Sequence, residues 1–341
     1  MTKNVLYVGN YLKGPKTNPS YMFTLGPLLE GLNFKVTYTS TWHLKVLRLL
    51  DMMWSLIRRQ GQTDVVLIDT YSTQNFYYAV VIGHLCRFYK IPYIPILHGG
   101  QLPARLRRSP KLAKILFGNA FKNVAPSGYL STVCRDQGID NVVVIPNALD
   151  LTAYHFKSRK EASLNLLWVR RLSNIYNPML ALGVLKNLKE KGHRVKLCMV
   201  GSGGGQLKLM TQFATDHQLE VEFKGQLTRL EWIELSANYD LFLNTSTIDN
   251  TPLSIIEAMA LGLGVVSTNV GGLTYLIDDQ LDGFLVKPNE VEAMAEAVLQ
   301  LVDQPDLFQS ITLRARQKVE CFDAQVVKHQ WEDLLDEITK P

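Results

Sequence analysis

Cysteine is scarce in this chain of 341 residues, and its four cysteines lie far from one another. They form no Cys-x-x-Cys pair, and no pair of histidines accompanies them at the spacing that zinc sites use. The sequence therefore predicts neither a disulfide framework nor a metal site. We expect buried thiols in a reducing compartment.

Long apolar runs are also missing. None reaches the roughly 18 consecutive residues that a membrane-spanning helix needs. The first segment, MTKNVLYVGNYLKG, has a short apolar run that ends at Gly9, which indicates a first β-strand and not a signal peptide. We expect a cytoplasmic protein, peripheral on the inner face of the cell membrane.

Acidic residues are absent from one long stretch. Between Thr70 and Arg135 there are nine basic residues and no acid, and residues 1–160 hold 20 basic residues against 7 acidic ones. One interpretation is a solvated basic face; the other is a surface that meets an anionic membrane or a phosphorylated acceptor. The second interpretation assigns that contact to Arg105, Arg107, Arg108, Lys111 and Lys114. No aromatic residues interleave these cations and no nucleic-acid-binding module is seen, so no nucleic-acid partner is expected.

Short apolar runs alternate with amphipathic segments along the whole chain. The runs include NVLYVG, DVVLID and YIPILH in the first half and LNLLWVR, VKLCMVG and DLFLNTS in the second. This alternation predicts an α/β protein with parallel sheets, and the length favours two domains. We place them at 1–160 and 161–319, with a polar linker at 157–163 and a C-terminal helix, 320–341, that packs back on the first domain.

One predicted helix, HLKVLRLLDMMWSLIRR, is notably apolar. Its spacing puts Val46, Leu49, Met53 and Leu56 on one face, as in a helix that packs on a sheet.

Two carboxylates bracket the start of another apolar helix, in the sequence IDNTPLSIIEAMALG. Thr251 is a good N-cap and Pro252 suits the first helical position, so the free amides of Leu253 and Ser254 can hold a phosphate. Asp249 before this end and Glu257 inside the helix would suit a ligand with hydroxyl groups on both sides of the phosphate. A nucleotide sugar has that chemistry; the alternative is a capped core helix with a solvated glutamate.

A glycine-rich turn, GSGGG, follows another strand, but the third glycine of a dinucleotide fingerprint is replaced by Gln206. It favours a tight turn that lets a ligand approach. Neither a DxD nor a GxSxG motif occurs.

These motifs together resemble the retaining glycosyltransferases of family 4. The resemblance rests on the two acids with EAMALGLGVVSTNVGG, on Arg171 after LNLLWV, on NVAPSGYL with VVVIPNALD, and on ILHGG, GSGGG and FKGQLTRLEW. It implies the GT-B fold, in which two doubly wound Rossmann-like domains face each other across a cleft. The family lysine near the phosphates is replaced here by Tyr176, and Arg170 and Lys16 are candidate substitutes.

The resemblance also implies roles for individual residues. Glu257 would hold the ribose, Asp249 the transferred sugar and Arg171 the diphosphate, while His98 would line the sugar site. These four form the predicted catalytic set. The predicted donor-binding set is Gly14, Lys16, Arg171, Tyr176, Gly201, Gln226, Leu227, Asn250, Thr251, Pro252, Leu253, Ser254 and Glu257.

The function so implied is a metal-independent, retaining, hexosyltransferase-like enzyme with no cofactor. It would move a sugar from a nucleotide diphosphate such as UDP or GDP to a glycan or lipid-linked acceptor, in bacterial surface polysaccharide or glycolipid biosynthesis. Two alternatives stay open: a nucleotide-sugar epimerase of the same fold, and a non-catalytic nucleotide-sugar-binding subunit.

Overall fold

The computed structural model describes residues 2–12 and 20–338. They form two six-stranded parallel sheets whose strands are joined through helices, which confirms the predicted α/β class. The chain divides into two compact units. The first unit comprises Met1–Leu149 and Cys321–Pro341, and the second comprises Asp150–Glu320.

The sheet of the first unit has the strand order β2-β1-β3-β4-β5-β6. Its strands are β1 Asn4–Val8, β2 Lys35–Thr39, β3 Val65–Tyr71, β4 Tyr93–His98, β5 Asn123–Ala125 and β6 Val142–Val144. Its helices are α1 Met22–Glu30, α2 Lys45–Arg59, α3 Asn75–Phe88, α4 Leu102–Arg108, α5 Pro110–Gly118 and α6 Gly128–Arg135.

The sheet of the second unit has the strand order β12-β11-β10-β7-β8-β9. Its strands are β7 Asn165–Val169, β8 Lys196–Val200, β9 Val221–Gly225, β10 Leu241–Asn244, β11 Gly264–Thr268 and β12 Phe284–Val286. Its helices are α7 Pro178–Glu190, α8 Leu207–Asp216, α9 Arg229–Ser236, α10 Leu253–Ala260, α11 Leu273–Leu276, α12 Val291–Asp303 and α13 Pro305–Val319. The last helix, α14 Ala324–Asp336, belongs to the first unit.

Alternate residues of each buried strand enter different cores. In β3, Val65 and Leu67 pack with α1 and α14, whereas Val66 and Ile68 pack on the opposite face with α2 and α3. A parallel sheet is covered on both faces, so its buried strands are continuously apolar. The apolar runs of the sequence predict the strands for this reason. Trp331 of α14 is fully buried in the first of these cores.

The division between the units lies earlier than the predicted boundary at 160/161. The predicted linker, 157–163, contains Arg159, which is buried in the second unit. Its guanidinium donates to the Asp240 carboxylate at 3.0 Å and to the carbonyls of Leu261 and Gly262, each at 2.9 Å. A segment with such contacts is part of the second unit and not a flexible connection.

Two further expectations differ from the structure. Helix α2 buries Arg48, Met52 and Leu56, whereas Val46, on the predicted face, is 72% exposed. Apolar residues surround this helix on nearly every side, so their spacing alone did not define the inner face. Among the cysteines, Cys321 is exposed and the other three are buried.

Candidate functional site

Polar residues gather in the second unit where the strand order reverses. The chain runs from β7 to β8 and β9, then returns to place β10 on the other side of β7. The loops that follow β7 and β10 are joined there: the Thr245 hydroxyl donates to the Tyr176 carbonyl at 2.6 Å, and the Thr247 amide donates to the Ile175 carbonyl at 2.8 Å. Such a switch point is where doubly wound sheets bind their ligands.

Asp249 is paired with an arginine at this point. Its carboxylate accepts from the Arg170 guanidinium, from the Ser246 hydroxyl at 3.2 Å and from the Asn250 amide at 2.9 Å. The guanidinium also lies 4.9 Å from the centre of the Tyr176 ring, within the range of a cation–π contact. Arg170 Nε is buried, and no described residue accepts a hydrogen bond from it.

Helix α10 begins one residue later than predicted. Pro252 has an extended ψ of 120° and is the N-cap, so Leu253 is the first helical residue. The Thr251 hydroxyl therefore does not cap the helix. It is buried, as is the Ser254 hydroxyl, and neither has a hydrogen-bond partner among the residues the structure describes. The first amides of the helix add further donors without intrahelical acceptors, so polar groups suited to an anion converge here.

Glu257 lies inside α10 and is 6% exposed. Its Oε1 accepts from the Tyr154 hydroxyl at 2.6 Å and lies 3.3 Å from Arg229 Nε. Burial raises the pKa of Glu257, an effect that Tyr154, Arg229 and Arg170 oppose. No hydrogen bond joins Oε2 to any described residue, which leaves one oxygen of a fixed carboxylate available.

Two glycines let the surrounding loops approach closely. Gly201 has φ +145°, and a Cβ there would lie 1.8 Å from the Arg170 carbonyl oxygen. A Cβ at Gly272 would lie 2.2 Å from the Asn250 carbonyl oxygen. Side chains at these positions would displace the backbone that carries Arg170 and Asp249. The glycine-rich turn thus forms a tight connection after β8, as predicted from the sequence.

The loop after β9 reaches the same region. Gln226 is exposed and accepts from the Ser202 hydroxyl at 3.1 Å, and Leu227 beside it is half-buried. Thr228 and Glu231 then form a capping box that starts α9 and fixes the position of Arg229. The loop therefore presents a polar side chain at Gln226 and a cation next to Glu257.

Residues 152–318, which include every side chain of this cluster, match the family model described as glycosyl transferases group 1. The second unit is thus similar, over nearly its whole length, to group 1 glycosyltransferases.

Curated relatives of this chain have names from polysaccharide biosynthesis. WcaL of Salmonella typhimurium, named for colanic acid biosynthesis, is 28% identical over 212 residues, which are 58% of this chain and 52% of WcaL. The amylovoran biosynthesis glycosyltransferase AmsK of Erwinia amylovora is 28% identical over 187 residues, 51% of this chain and 45% of AmsK. The chain spans about half the length of the curated relatives it matches.

Solved structures cover both units. HepE of Anabaena in complex with UDP superposes with a TM-score of 0.77 at 20% identity, over 98% of this chain and 100% of HepE. Sucrose-phosphate synthase of Thermosynechococcus elongatus has a TM-score of 0.80 at 14% identity, with 98% of each chain covered. These similarities assign the GT-B fold.

The predicted donor-binding residues occupy different parts of this domain. Tyr176, Asn250, Thr251, Pro252, Ser254 and Glu257 cluster around the switch point through the contacts above. Arg171 is exposed and forms no hydrogen bond to a described residue, but a Cβ at Gly203 would lie 3.1 Å from its Nε. Gly14 and Lys16 lie outside the described residues.

His98 lies in the first unit, at the end of β4, and is buried. Its Nε2 is 2.9 Å from Asp69 Oδ1, which also accepts from the Tyr7 hydroxyl at 3.1 Å. The Tyr71 ring stacks on the imidazole with a centroid distance of 4.6 Å. Asp69 comes from β3, next to the strand of His98, so the sheet itself builds this cluster.

The predicted basic surface has two kinds of member. Arg107, Arg108, Lys111 and Lys114 are exposed on α4 and α5. Arg105 is half-buried, because its Nε donates to the Ser72 carbonyl at 2.7 Å and its guanidinium packs on the Tyr77 ring at 5.5 Å. Arg105 thus has a structural role that the other four lack.

Four residues of these clusters were not assigned from the sequence: Asp69, Tyr154 and Arg229 were not singled out, and Arg170 was only a candidate substitute. Tyr154 and Glu257 are 103 positions apart, so no local pattern could pair them. Arg229 could have been found, since it opens a helix with a capping box directly after Gln226.

Within residues 2–12 and 20–338, no group of three or more His, Cys, Asp or Glu side chains is placed to hold a metal ion. Over the same residues, no helix has the length and apolar character to cross a membrane.

Proposed function

We propose that this protein is a glycosyltransferase that moves a sugar from a nucleotide diphosphate to an acceptor hydroxyl, with retention of configuration and without a metal ion. The observation that carries the proposal is Glu257, a buried carboxylate in α10 with one oxygen fixed by Tyr154 and the other without a hydrogen bond to any residue that the structure describes. A pair of ribose hydroxyls is suited to that second oxygen.

We assign the diphosphate to the start of α10 and to the two arginines near it. The first amides of α10 are hydrogen-bond donors for phosphate oxygens, and so are the buried hydroxyls of Thr251 and Ser254, which have no partner in the described part of the chain. Arg170 and Arg171 supply positive charge, and Arg170 takes the place proposed for the missing lysine, since it lies over the ring of Tyr176. Gln226 and Leu227, on the loop after β9, are assigned to the nucleobase.

The reaction breaks the bond between the sugar C1 and the phosphate oxygen and forms a bond between C1 and the acceptor oxygen on the same face. The acceptor proton passes to the departing phosphate oxygen, so no protein base is required. Arg170, Arg171 and the end of α10 stabilise the charge that develops on the diphosphate. Asp249 accepts from hydroxyls of the transferred sugar and favours the positive charge on its ring in the transition state.

The comparisons support particular choices of substrate. Structures of HepE contain UDP and, separately, UDP-glucose, so a UDP-hexose is the first donor to test. The names of WcaL and AmsK support an acceptor from bacterial surface polysaccharide assembly. His98, beside Asp69, remains a predicted contact of the sugar.

Turnover of a panel of UDP- and GDP-sugars, with and without a bacterial lipid extract, tests this proposal. We expect nucleotide diphosphate to be released together with a glycosylated product, at a rate that depends on the extract. A rearranged sugar formed without acceptor would instead identify an epimerase. Tight nucleotide-sugar binding with no turnover for any pair would identify the non-catalytic subunit and overturn the proposal.

A further inference from the structure

The side of α2 that faces solvent is apolar. Val46, Leu50 and Trp54 follow one another at helical spacing and are 72%, 54% and 60% exposed. Trp42 and Leu44 in the preceding loop and Leu47 in the helix are also exposed. We call these six residues the α2 apolar face. An exposed apolar patch of this kind is typical of a surface that contacts another protein or a membrane.

The exposure of Trp42 is maintained by fixed contacts of the backbone behind it. The buried guanidinium of Arg48 donates to the carbonyls of Trp42 and His43 at 2.8 and 3.0 Å and to the Asn10 side chain at 2.8 Å. The Trp42 amide donates to the Ser40 hydroxyl at 3.3 Å. On the side of Trp42, these bonds involve the backbone carbonyl and amide. The backbone therefore holds the indole ring outside the core, and a substitution that removes the ring leaves the bonds intact.

The exposed charged side chains of α2 are positive. Lys45 and Arg58 are exposed on the same helix, and Asp51, the only acid of α2, accepts a hydrogen bond from Thr39 at 3.1 Å. The neighbouring helices α3, α4 and α5 contain no acidic residue.

The adjoining helices extend this positive surface. Tyr78 of α3 donates to the Lys45 carbonyl at 3.2 Å, and Tyr77 of the same helix packs against Arg105 of α4. Beyond that contact lie the four exposed cations of α4 and α5, namely Arg107, Arg108, Lys111 and Lys114.

We propose that the α2 apolar face docks on an anionic phospholipid bilayer, with Trp42 and Trp54 in the headgroup region and the surrounding cations on lipid phosphates. Tryptophan favours this interfacial position, because its ring is apolar and its N–H remains hydrogen-bonded. An interfacial helix combines such a face with flanking basic residues.

A second copy of the chain fits this surface less well. A two-fold interface places the same patch on both partners. Lys45 and Arg58 would then face the cations of the second copy, with no exposed acid on α2 to α5 to compensate for the repulsion. A bilayer with anionic headgroups offers both the apolar phase and the opposite charge.

Binding through apolar side chains differs in salt dependence from binding through cations alone. Salt screens the attraction of Lys and Arg for the surface, whereas the transfer of indole and leucine side chains from water persists. The inference is independent of the proposed enzymatic activity, because lipid binding is measured without donor or acceptor.

The test is sedimentation of the full chain with phosphatidylcholine vesicles that contain or lack phosphatidylglycerol, at low and high salt. We expect binding to the anionic vesicles, partly retained at high salt, with a blue shift of tryptophan fluorescence. The double variant Trp42→Ser, Trp54→Ser should bind the anionic vesicles at least about tenfold more weakly than the wild type. Each indole side chain would otherwise transfer a large apolar area from water to the bilayer.

The matched control is Leu209→Ser with Leu313→Ser, two exposed leucines of the second unit, which should bind like the wild type. Circular dichroism and an unchanged melting temperature would show that both double variants are folded. Equal vesicle binding by the tryptophan variant and the wild type overturns the proposal. So does a wild-type dimer in sedimentation velocity that the tryptophan variant converts to a monomer, because a second copy then covers the face.

Discussion

Helices α10 and α2 are both rich in apolar residues, with six of eight in α10 and nine of fifteen in α2, but they differ in how many of them are buried. Seven of the eight residues of α10 are buried, whereas α2 turns Val46, Leu50 and Trp54 to solvent. Each helix nevertheless buries one charged side chain, Glu257 in α10 and Arg48 in α2. A high content of apolar residues therefore does not show that a helix is buried. The elements that pack against the helix determine which of its faces are covered.

The partners of the two buried charges also differ. Arg48 donates to two backbone carbonyls and one side-chain amide of its own unit, which fixes the loop before the helix. Among the described residues, Glu257 contacts the side chains of Tyr154 and Arg229 through one oxygen, Oε1. The contacts of Arg48 stabilise the fold, whereas the second oxygen of Glu257 can accept hydrogen bonds from a ligand.

The largest expected effect is on Glu257. Two hydrogen bonds that ribose hydroxyls donate to a carboxylate are worth roughly 3–6 kcal/mol when desolvated, so Glu257→Ala should weaken nucleotide binding at least about a hundredfold. The melting temperature without ligand should change little, because removal of the buried charge offsets the lost contacts. Calorimetric titration with UDP and GDP measures the affinity. If the nucleotide affinity is unchanged, Glu257 has only a structural role, as Arg48 does.

Asp249, which precedes α10, should affect turnover and not nucleotide affinity. We expect Asp249→Ala to lower kcat about a hundredfold or more, the size typical of losing one transition-state stabiliser. The affinity for free nucleotide should stay within about threefold, because the sugar is absent and Arg170 is still present. Asp249→Asn should fall between these values. Normal turnover by the alanine variant would contradict the role assigned to this residue.

Stability measurements compare the two helices directly. Ile256 of α10 is fully buried, so Ile256→Ala should lower the free energy of unfolding by about 3 kcal/mol. Leu50 of α2 is 54% exposed. Leu50→Ala should change the free energy of unfolding by no more than about 0.5 kcal/mol. Urea unfolding monitored by circular dichroism gives both values. A similar loss in the two variants would mean that the α2 apolar face is covered within the protein.

Arg170 distinguishes the phosphate contacts from those of the ribose. Arg170→Gln should weaken binding of a nucleoside diphosphate about tenfold, as expected for a hydrogen-bonded charge, and leave nucleoside binding unchanged. Arg194→Gln is a matched control, since this exposed arginine precedes β8 at the amino ends of the parallel strands, whereas Arg170 follows β7 at their carboxyl ends. An equal loss for nucleoside and diphosphate would assign Arg170 to another part of the ligand.

The smallest effect concerns pH. Burial raises the pKa of Glu257, so the carboxylate is protonated at a higher pH than an ordinary glutamate. Below that raised pKa, nucleotide affinity should fall by up to about tenfold per pH unit.

Stability without ligand should change in the opposite direction. The contribution of Glu257 to stability is present below its unfolded-state pKa and is lost as the pH rises through the raised folded-state pKa. Glu257→Gln should remove both pH dependences. If they persist, another group is responsible.

Much of the fold was predictable because local patterns encode it. Continuous apolar runs marked the strands, since parallel strands are buried on both faces. The boundary near Leu149 was placed too late because Arg159 looked like part of a polar linker, while its contacts with Asp240 and Leu261 are distant in sequence.

The site was only partly predictable. The two acids around α10, the proline at its start and the glycine turns follow from short-range rules for helix ends and tight turns. The start of the helix at Leu253, and not at Pro252, depended on the extended ψ of Pro252. Thr251 was therefore expected to cap the helix, but its hydroxyl has no hydrogen-bond partner within residues 2–12 and 20–338.

The sequence by itself determined the order of strands and helices, the place of the two carboxylates and the excess of positive charge in the first half. Only the tertiary structure decided that Tyr154 and Arg229 hold Glu257, that Arg170 pairs with Asp249, and that α2 turns its tryptophan outward. The physical reason is that helical periodicity fixes the angles between side chains of one helix, whereas burial depends on contacts with segments far away in the chain.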